Sequence, residues 1–151
     1  MTVQGLDGMR SGLRAMWGAV APAWAEHADY VDARSEVVTA ALLERTRPGA
    51  GDRVLELACG PGGLGLAAAR HAREVVVSDV VPAMVETAVA RAKDAGLGNV
   101  TGRVLDLEAI EEPDGTYDVV VCREGLMFAP EPDRATRELA RVLRPGTGRV
   151  A

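Results

Sequence analysis

Apolar residues recur at two different spacings along this chain, and the spacing changes at about residue 48. In the first part they recur every three or four residues, as they do along one face of a helix. The first helical stripe consists of Leu13, Met16, Trp17, Val20 and Trp24. A second stripe consists of Val37, Val38, Ala41 and Leu42. We expect Pro22 to break or restart the first helix, because a proline inside a helix removes a hydrogen bond and clashes with the preceding turn. Residues 1–48 are therefore predicted to form a helical cap.

After residue 48, short apolar strands alternate with single helices. The predicted strands cover residues 53–58, 74–79, 100–105 and 117–122, and a fifth begins at 149. The predicted helices cover residues 64–73, begin at Pro82 and begin at Pro132. The second strand is a continuous β-branched run, which is typical of a parallel strand covered on both faces. Strands joined by single helices imply a parallel sheet with right-handed crossovers and helices on both faces. Residues 49–151 are therefore predicted to form a doubly wound, Rossmann-like α/β domain.

The composition agrees with one globular domain, because 48% of the 151 residues are hydrophobic and 26% are charged. Seventeen basic and 22 acidic residues give a net charge of −5, without a cationic cluster. This balance argues against a nucleic-acid partner, which requires a cationic face. Two cysteines, Cys59 and Cys122, are too few for a disulfide framework and indicate free thiols in the cytoplasm.

No apolar run reaches the roughly 20 residues of a transmembrane helix. Residues 15–25 superficially resemble the apolar core of a signal peptide, but Asp7 precedes them and Gly18 and Pro22 interrupt them. We therefore predict no membrane span and a cytoplasmic protein.

The chain stops where its fifth strand begins. A strand cut at this point leaves the edge of the fourth strand poorly covered, and such an edge favours pairing with another chain. We therefore expect this chain to be the N-terminal part of a longer protein, whose last strands are missing here, and to form a homo-oligomer. A natural minimal domain is the alternative.

The distinctive residues of the α/β part lie at the carboxyl ends of its strands, where open parallel sheets bind ligands. The first strand is followed by the glycine-rich turn Cys59-Gly60-Pro61-Gly62-Gly63, in which the backbone can approach a ligand closely. Asp79 ends the second strand, where a carboxylate can accept the hydrogen bonds of a ribose diol. Asp106 ends the third strand and can receive an exocyclic amine or cap the next segment.

A dinucleotide cofactor, NAD, is one of two cofactors that are compatible with this pattern. Residues 60–65 satisfy G-x-G-x-x-G, and with Asp79 they imitate a dinucleotide-binding fingerprint. Three features count against NAD: a carboxylate inside the first strand (Glu56), the long helical segment before that strand, and the second acidic strand end at Asp106. A buried carboxylate suits a cationic ligand better than a pyrophosphate. An NAD-binding dehydrogenase remains the alternative.

Several segments in order resemble the motifs of class I S-adenosylmethionine-dependent methyltransferases, in the group similar to the ubiquinone/menaquinone-biosynthesis enzymes. VLELACGPGG resembles their first motif, E-x-G-x-G-x-G, with Glu56, Ala58, Gly60 and Gly62 at the motif positions. VVVSDVVPAM and VLDLE resemble the second and third motifs, and TYDVVVCREGLMF and RELARVLRPGTGRVA resemble the segments around the fourth and fifth strands. Ala58 replaces the first glycine of the family, and we expect only a slight change in the turn.

The resemblance implies that S-adenosylmethionine is the cofactor. The residues that would bind it are Glu56, Ala58, Cys59, Gly60, Gly62, Asp79, Val80, Asp106, Leu107 and Arg123. Asp79 would hold the ribose hydroxyls and Val80 would lie against the adenine. Asp106 would face the adenine amine, and the backbone N–H of Leu107 would face a ring nitrogen. The implied activity is methyl transfer to a small-molecule acceptor by direct displacement, with a non-catalytic cofactor-binding fragment as a second alternative.

Direct displacement requires alignment of acceptor, methyl group and leaving sulfur, so neither a nucleophile nor a metal is expected. The two cysteines and two histidines have no metal-ligand spacing. A general base is needed only if the acceptor loses a proton. His27, Asp29 and Glu124 are the candidates by residue type, and no catalytic residue is assigned. The aromatic residues Trp17, Trp24 and Tyr30 either pack the cap onto the domain or line a pocket.

Overall fold

The computed structural model describes residues 3–151. The cap consists of three helices, α1 (Val3–Glu26), α2 (Ala28–Arg34) and α3 (Glu36–Thr46). The sheet consists of β1 (Arg53–Glu56), β2 (Glu74–Asp79), β3 (Val100–Val104), β4 (Val119–Val121) and β5 (Arg149–Val150). The helices of the α/β part are α4 (Gly63–Ala69), α5 (Pro82–Asp94) and α6 (Pro132–Val142), and a short 3-10 helix covers Leu126–Phe128.

All strand pairs are parallel, and the strand order is β3-β2-β1-β4-β5. The chain leaves β1 toward one edge of the sheet, returns, and continues from β4 toward the other edge. This reversal between β1 and β4 confirms the predicted doubly wound fold. It also places a crevice beside the carboxyl ends of these two strands, where ligands bind in such sheets.

The central strands are buried on both faces because their side chains alternate between two core layers. One layer, which includes Val54, Val75 and Val77, packs with Leu64 and Ala68 of α4. The opposite layer consists of Leu55, Leu57, Val76, Leu105, Ile110, Tyr117, Val120, Leu139 and Val142. The two layers fix the register of β1 and β2, since a shift by one residue would exchange the faces of every side chain.

Helix α1 continues through Pro22 to Glu26, so the expected break at the proline is wrong. A proline in a helix interior costs about 3 kcal/mol. Ala21 is buried against the beginning of α5. Trp17 and Trp24 lie on either side of the proline and pack in the same cluster as Ala21. This tertiary packing offsets the local cost and keeps the helix continuous.

No helix within residues 3–151 has both the length and the apolar character needed to cross a membrane. Cys59 and Cys122 are free thiols, as predicted.

Candidate functional site

A cavity of about 410 Å³ lies between the cap and the carboxyl ends of the strands. Residues that follow β1, β2, β3 and β4 form its floor, and side chains from α1 and α2 cover it. The residues on its wall that the sequence had singled out are Glu56, Ala58, Cys59, Gly60, Asp79, Val80, Asp106, Leu107 and Arg123. Residues separated by up to 67 positions in the chain are thus brought to one place by the parallel sheet.

Gly62 is the one predicted site residue that is not on the cavity wall. It precedes α4 with a left-handed backbone, at a φ of 85°. A Cβ atom at this position would lie 2.6 Å from the Cβ of Ala88. Gly62 therefore allows α4 to pack closely against α5, and its contact with a cofactor stays a prediction.

Glu56 is buried under the glycine-rich turn and is only 2% exposed. One of its carboxylate oxygens accepts a hydrogen bond from the backbone N–H of Gly65 at 2.9 Å. Burial raises the pKa of Glu56 to about 8, although the Gly65 N–H and the charge of Arg123 oppose this shift. The carboxyl group therefore holds its proton near neutral pH, and a cation entering the cavity would favour its ionisation.

Asp79 joins the turn after β1 to the beginning of α5. Its two carboxylate oxygens accept hydrogen bonds from the backbone N–H groups of Gly60 and Val81, both at 3.0 Å. Burial raises the pKa of Asp79, and these backbone hydrogen bonds counteract the rise. An ionised carboxylate has about four acceptor positions. The two that remain can take hydroxyl groups of a ligand.

Two residues on the cavity wall have left-handed backbone conformations that usually favour glycine. Ala58 has a φ of 51° and Glu124 a φ of 60°. Ala58 thus adopts a positive φ without being glycine, at a cost of about 1–2 kcal/mol. A side chain on Gly125 would overlap the Cβ of Ala58, so the loop after β4 packs directly on the turn after β1.

Trp17 and Trp24 of α1 line the cavity and also pack the cap onto the α/β part. Both roles expected for the aromatic residues of the cap therefore apply to these two. The ring centroids of Trp17 and Trp24 lie 5.7 Å apart with an interplanar angle of 78°. Trp17 also contacts Phe128 edge-to-face at 5.1 Å, which joins the cap to the loop after β4. Tyr30 is 69% exposed and is not on the cavity wall.

The three candidate general bases differ in their position. His27 and Asp29 do not line this cavity, and Asp29 is exposed and pairs with Arg91. Glu124 does line it, and its carboxylate lies 3.8 Å from the guanidinium of Arg34 on α2. Glu124 is therefore the one of the three that is placed to meet a ligand in the cavity.

The cysteine on the cavity wall is a structural thiol. The Sγ of Cys59 donates a hydrogen bond to the carbonyl of Gly60 at 3.3 Å, and burial raises the pKa of this thiol. Its pKa favours the unreactive protonated form. Within residues 3–151, no group of three or more histidine, cysteine or acidic side chains could hold a metal ion.

Sequence reasoning missed the charged network at the adenine end of the predicted site. Glu108 follows Asp106 and Leu107, and its side chain is only 2% exposed. Its carboxylate accepts hydrogen bonds from Arg10 of α1 and from the backbone N–H of Glu131. The sequence carries no signal of this network, because Arg10 and Glu108 are 98 positions apart.

Comparison with known proteins identifies the family. Residues 54–146 match the family described as methyltransferase domain, which is more than half of the chain. The chain belongs to the class I S-adenosylmethionine-dependent methyltransferases. S-adenosylmethionine is accordingly the cofactor of this methyltransferase domain.

Three similar proteins illustrate the relationship. A ubiquinone biosynthesis O-methyltransferase of Xanthomonas oryzae is 33% identical over 137 residues, which cover 86% of this chain and 52% of that protein. A solved structure from Methanococcus maripaludis, described as a candidate S-adenosylmethionine-dependent methyltransferase, has a TM-score of 0.76 and 25% identity, covering 86% of this chain and 60% of that one. The structure of the [4+2]-cyclase SpnF has a TM-score of 0.69 and 34% identity, covering 73% and 41%.

The chain spans only part of the length of the curated relatives that it matches. It covers 52% of the Xanthomonas protein, and 35% and 46% of two similar proteins from Mycobacterium bovis. The part that matches the family, residues 54–146, includes the strand ends that form the cavity.

Proposed function

We propose that this chain binds S-adenosylmethionine in the cavity under the cap and transfers the methyl group to a small-molecule acceptor by direct displacement. The observation that carries the proposal is the position of the motif residues. All of those predicted from the sequence, except Gly62, lie on the wall of a single cavity. A volume of about 410 Å³ is within the range of small-molecule sites, which is about 300–1,000 Å³.

The acidic residues on the wall support a cofactor with a positive charge. Glu56, Asp79 and Asp106 line the cavity, and a cation bound there would favour the ionised form of Glu56. We expect Asp79 to bind the ribose hydroxyls through its remaining acceptor positions. Asp106 and the backbone N–H of Leu107 would bind the adenine. When bound, the cofactor supplies a methyl group that its sulfonium has already activated, so the protein has mainly to orient the acceptor.

The cap supports a small acceptor rather than a macromolecule. Trp17, Phe128 and Leu13 give the covered side of the cavity an apolar surface. The Xanthomonas relative, by its name, methylates oxygen in ubiquinone biosynthesis. For an acceptor with a hydroxyl group, Glu124 would accept the proton released on methylation, since it lines the cavity and pairs only loosely with Arg34. The acidic net charge of −5 also disfavours nucleic acid as the acceptor.

The geometry around α4 argues against the dinucleotide alternative. A pyrophosphate in that class of proteins lies at the N-terminus of the helix after the glycine turn. Here the carboxylate of Asp32 crowds this place, because a Cβ atom on Gly63 would overlap it. The Asp32 carboxylate, which is paired with Arg91 at 2.7 Å, thus occupies the place where a dinucleotide would bring its phosphates, and this favours S-adenosylmethionine over NAD.

Calorimetric titration with S-adenosylhomocysteine, with NADH as the control, tests the cofactor. We expect micromolar binding of S-adenosylhomocysteine alone. Transfer of radiolabelled methyl to a panel of phenols, amines and carboxylic acids then tests the activity. Binding of NADH instead would favour a dehydrogenase, and a folded chain that binds neither ligand would favour a non-catalytic fragment.

A second candidate is a cyclisation in the same cavity, because SpnF is a [4+2]-cyclase and is 34% identical over the matched region. Cofactor binding without methyl transfer, together with cyclisation of a conjugated polyene, would favour it over the methyltransferase.

A further inference from the structure

Glu108 holds together three parts of the chain at the adenine end of the cavity. Its carboxylate accepts a hydrogen bond from the Nε of Arg10 on α1 at 2.7 Å and another from the backbone N–H of Glu131. Its own backbone N–H donates to the carboxylate of Asp106 at 2.9 Å. Its carbonyl accepts from the Nε of Arg134 at 2.7 Å. The turn after β3 is thus tied to α1 and to the beginning of α6.

The negative charge of Glu108 in this network is balanced by Arg10, which lies on the cap. A buried carboxylate is costly unless a cation and hydrogen bonds compensate it. Among the described residues, the guanidinium of Arg10 is the cation that hydrogen-bonds the Glu108 carboxylate. Glu108 and Glu131 in turn hold the pKa of Arg10 above its usual range. Movement of α1 away from the cavity would therefore leave Glu108 buried without its cation.

The same residue also orients the carboxylate that is expected to face the adenine amine. Asp106 has one oxygen fixed by the backbone N–H of Glu108, so its rotamer depends on the conformation of residues 106–108. The carbonyl of Asp106 closes this turn by accepting from the N–H of Ala109 at 2.9 Å. Residue 108 therefore carries both the side chain that Arg10 binds and the backbone N–H that holds the Asp106 carboxylate.

We propose that Glu108 is a positioning residue that couples α1 to the adenine-binding turn, so that Arg10 on the cap sets the selectivity of the site for a 6-aminopurine. The inference rests on the proposed function, since it concerns recognition of the same cofactor. It assigns Arg10 and Glu108 no chemical step. They act through Asp106.

The test compares two ligands that differ at the edge of the purine that Asp106 and the backbone N–H of Leu107 would read. S-adenosylhomocysteine has a 6-amino group and an unprotonated N1, and S-inosylhomocysteine has a 6-oxo group and a proton on N1. Their dissociation constants are measured by calorimetry on the full chain and on Arg10→Met, Arg10→Lys and Glu108→Gln. Asp7→Asn is the matched control, because Asp7 is an exposed partner of Arg10 at 3.1 Å and does not hydrogen-bond Glu108 in this structure.

We expect the full chain to prefer S-adenosylhomocysteine by about tenfold or more, as a lost hydrogen bond to a charged group predicts. Arg10→Met and Glu108→Gln should reduce this preference at least about threefold, and Arg10→Lys should restore part of it. Asp7→Asn should keep it. Thermal melts verify that each variant is folded. If Glu108→Gln does not fold, the result for Arg10→Met decides whether the coupling exists. This variant is expected to fold, because Arg10 lies on the cap and is 21% exposed.

The coupling is refuted if Arg10→Met weakens both ligands equally, since that is the result of a purely structural role. It is also refuted if the full chain shows no preference, or if the variants retain it. These outcomes leave the proposed function standing, provided that S-adenosylhomocysteine binds. Failure of the unmodified chain to bind S-adenosylhomocysteine would contradict the proposed function itself.

Discussion

The buried carboxyl group of Glu56 makes the stability of this protein dependent on pH in an unusual direction. Ordinary glutamates ionise at a pKa of 4.5, and burial raises that of Glu56 to about 8 in the folded protein. Between these two values the folded state retains a proton that the unfolded state has released. The stabilising contribution is therefore fully present below about pH 4.5 and is lost as the pH rises through about 8.

The size of the effect follows from the same interval. Each unit of pKa difference corresponds to about 1.4 kcal/mol, so the interval from 4.5 to about 8 gives a loss of the order of 5 kcal/mol. Glu56→Gln keeps an oxygen that can accept the Gly65 N–H and has no proton to lose. We expect this variant to lack the Glu56 part of the pH dependence.

Urea unfolding at several values between about pH 5 and about pH 8 measures the free energy of unfolding of both proteins. The difference between Glu56→Gln and the unmodified protein should change by about 1 kcal/mol per pH unit, in favour of the variant at high pH. Glu86→Gln is the control, because Glu86 is an exposed glutamate on α5. Parallel pH curves for Glu56→Gln and the unmodified protein would refute the reasoning.

Three further predictions use glycine contacts and the cofactor site. Gly65→Ala should destabilise the fold by about 2–4 kcal/mol in urea unfolding, because its Cβ would overlap the Glu56 carboxylate. Gly12→Ala is the control: it lies in open space on α1 and should stabilise the fold by about 0.5–1 kcal/mol. Ala58→Gly should stabilise the fold by up to about 1 kcal/mol by relieving the left-handed backbone, and a loss of stability would show that the φ of 51° carries no strain. Asp79→Ala should weaken S-adenosylhomocysteine binding by about 1–3 kcal/mol in calorimetry. It should also lower the melting temperature, because this carboxylate accepts hydrogen bonds from two backbone N–H groups. Unchanged affinity would show that Asp79 is not part of the site.

The sequence predicted the parts of the fold that depend on local pattern. The β2 boundaries match the prediction at both ends, and α5 and α6 begin at Pro82 and Pro132 as expected. The alternation of strands and helices implies a parallel sheet, and a parallel sheet brings all strand ends to one edge. For this reason the strand pattern alone is enough to assign Asp79 and Asp106 to one crevice, and both line the cavity.

What the sequence did not predict depends on contacts between distant segments. Pro22 carries a local signal to end a helix, but the packing of the flanking tryptophans outweighs it. The glycine-rich motif does not say which glycine faces a ligand, and Gly62 faces α5 instead. The pairing of Arg10 with Glu108 has no local signature, because it depends on where the cap lies on the sheet.

The two tryptophans of the cap have a practical consequence. They are the only tryptophans of the chain, and both lie on the wall of the cavity. With excitation at a wavelength that tyrosine does not absorb, the fluorescence of the protein therefore originates entirely from the helix that covers its candidate site. A ligand that enters, or a cap helix that moves, would alter an emission to which no tryptophan elsewhere contributes. The protein thus contains its own optical probe for occupancy, and association rates can be followed without a label.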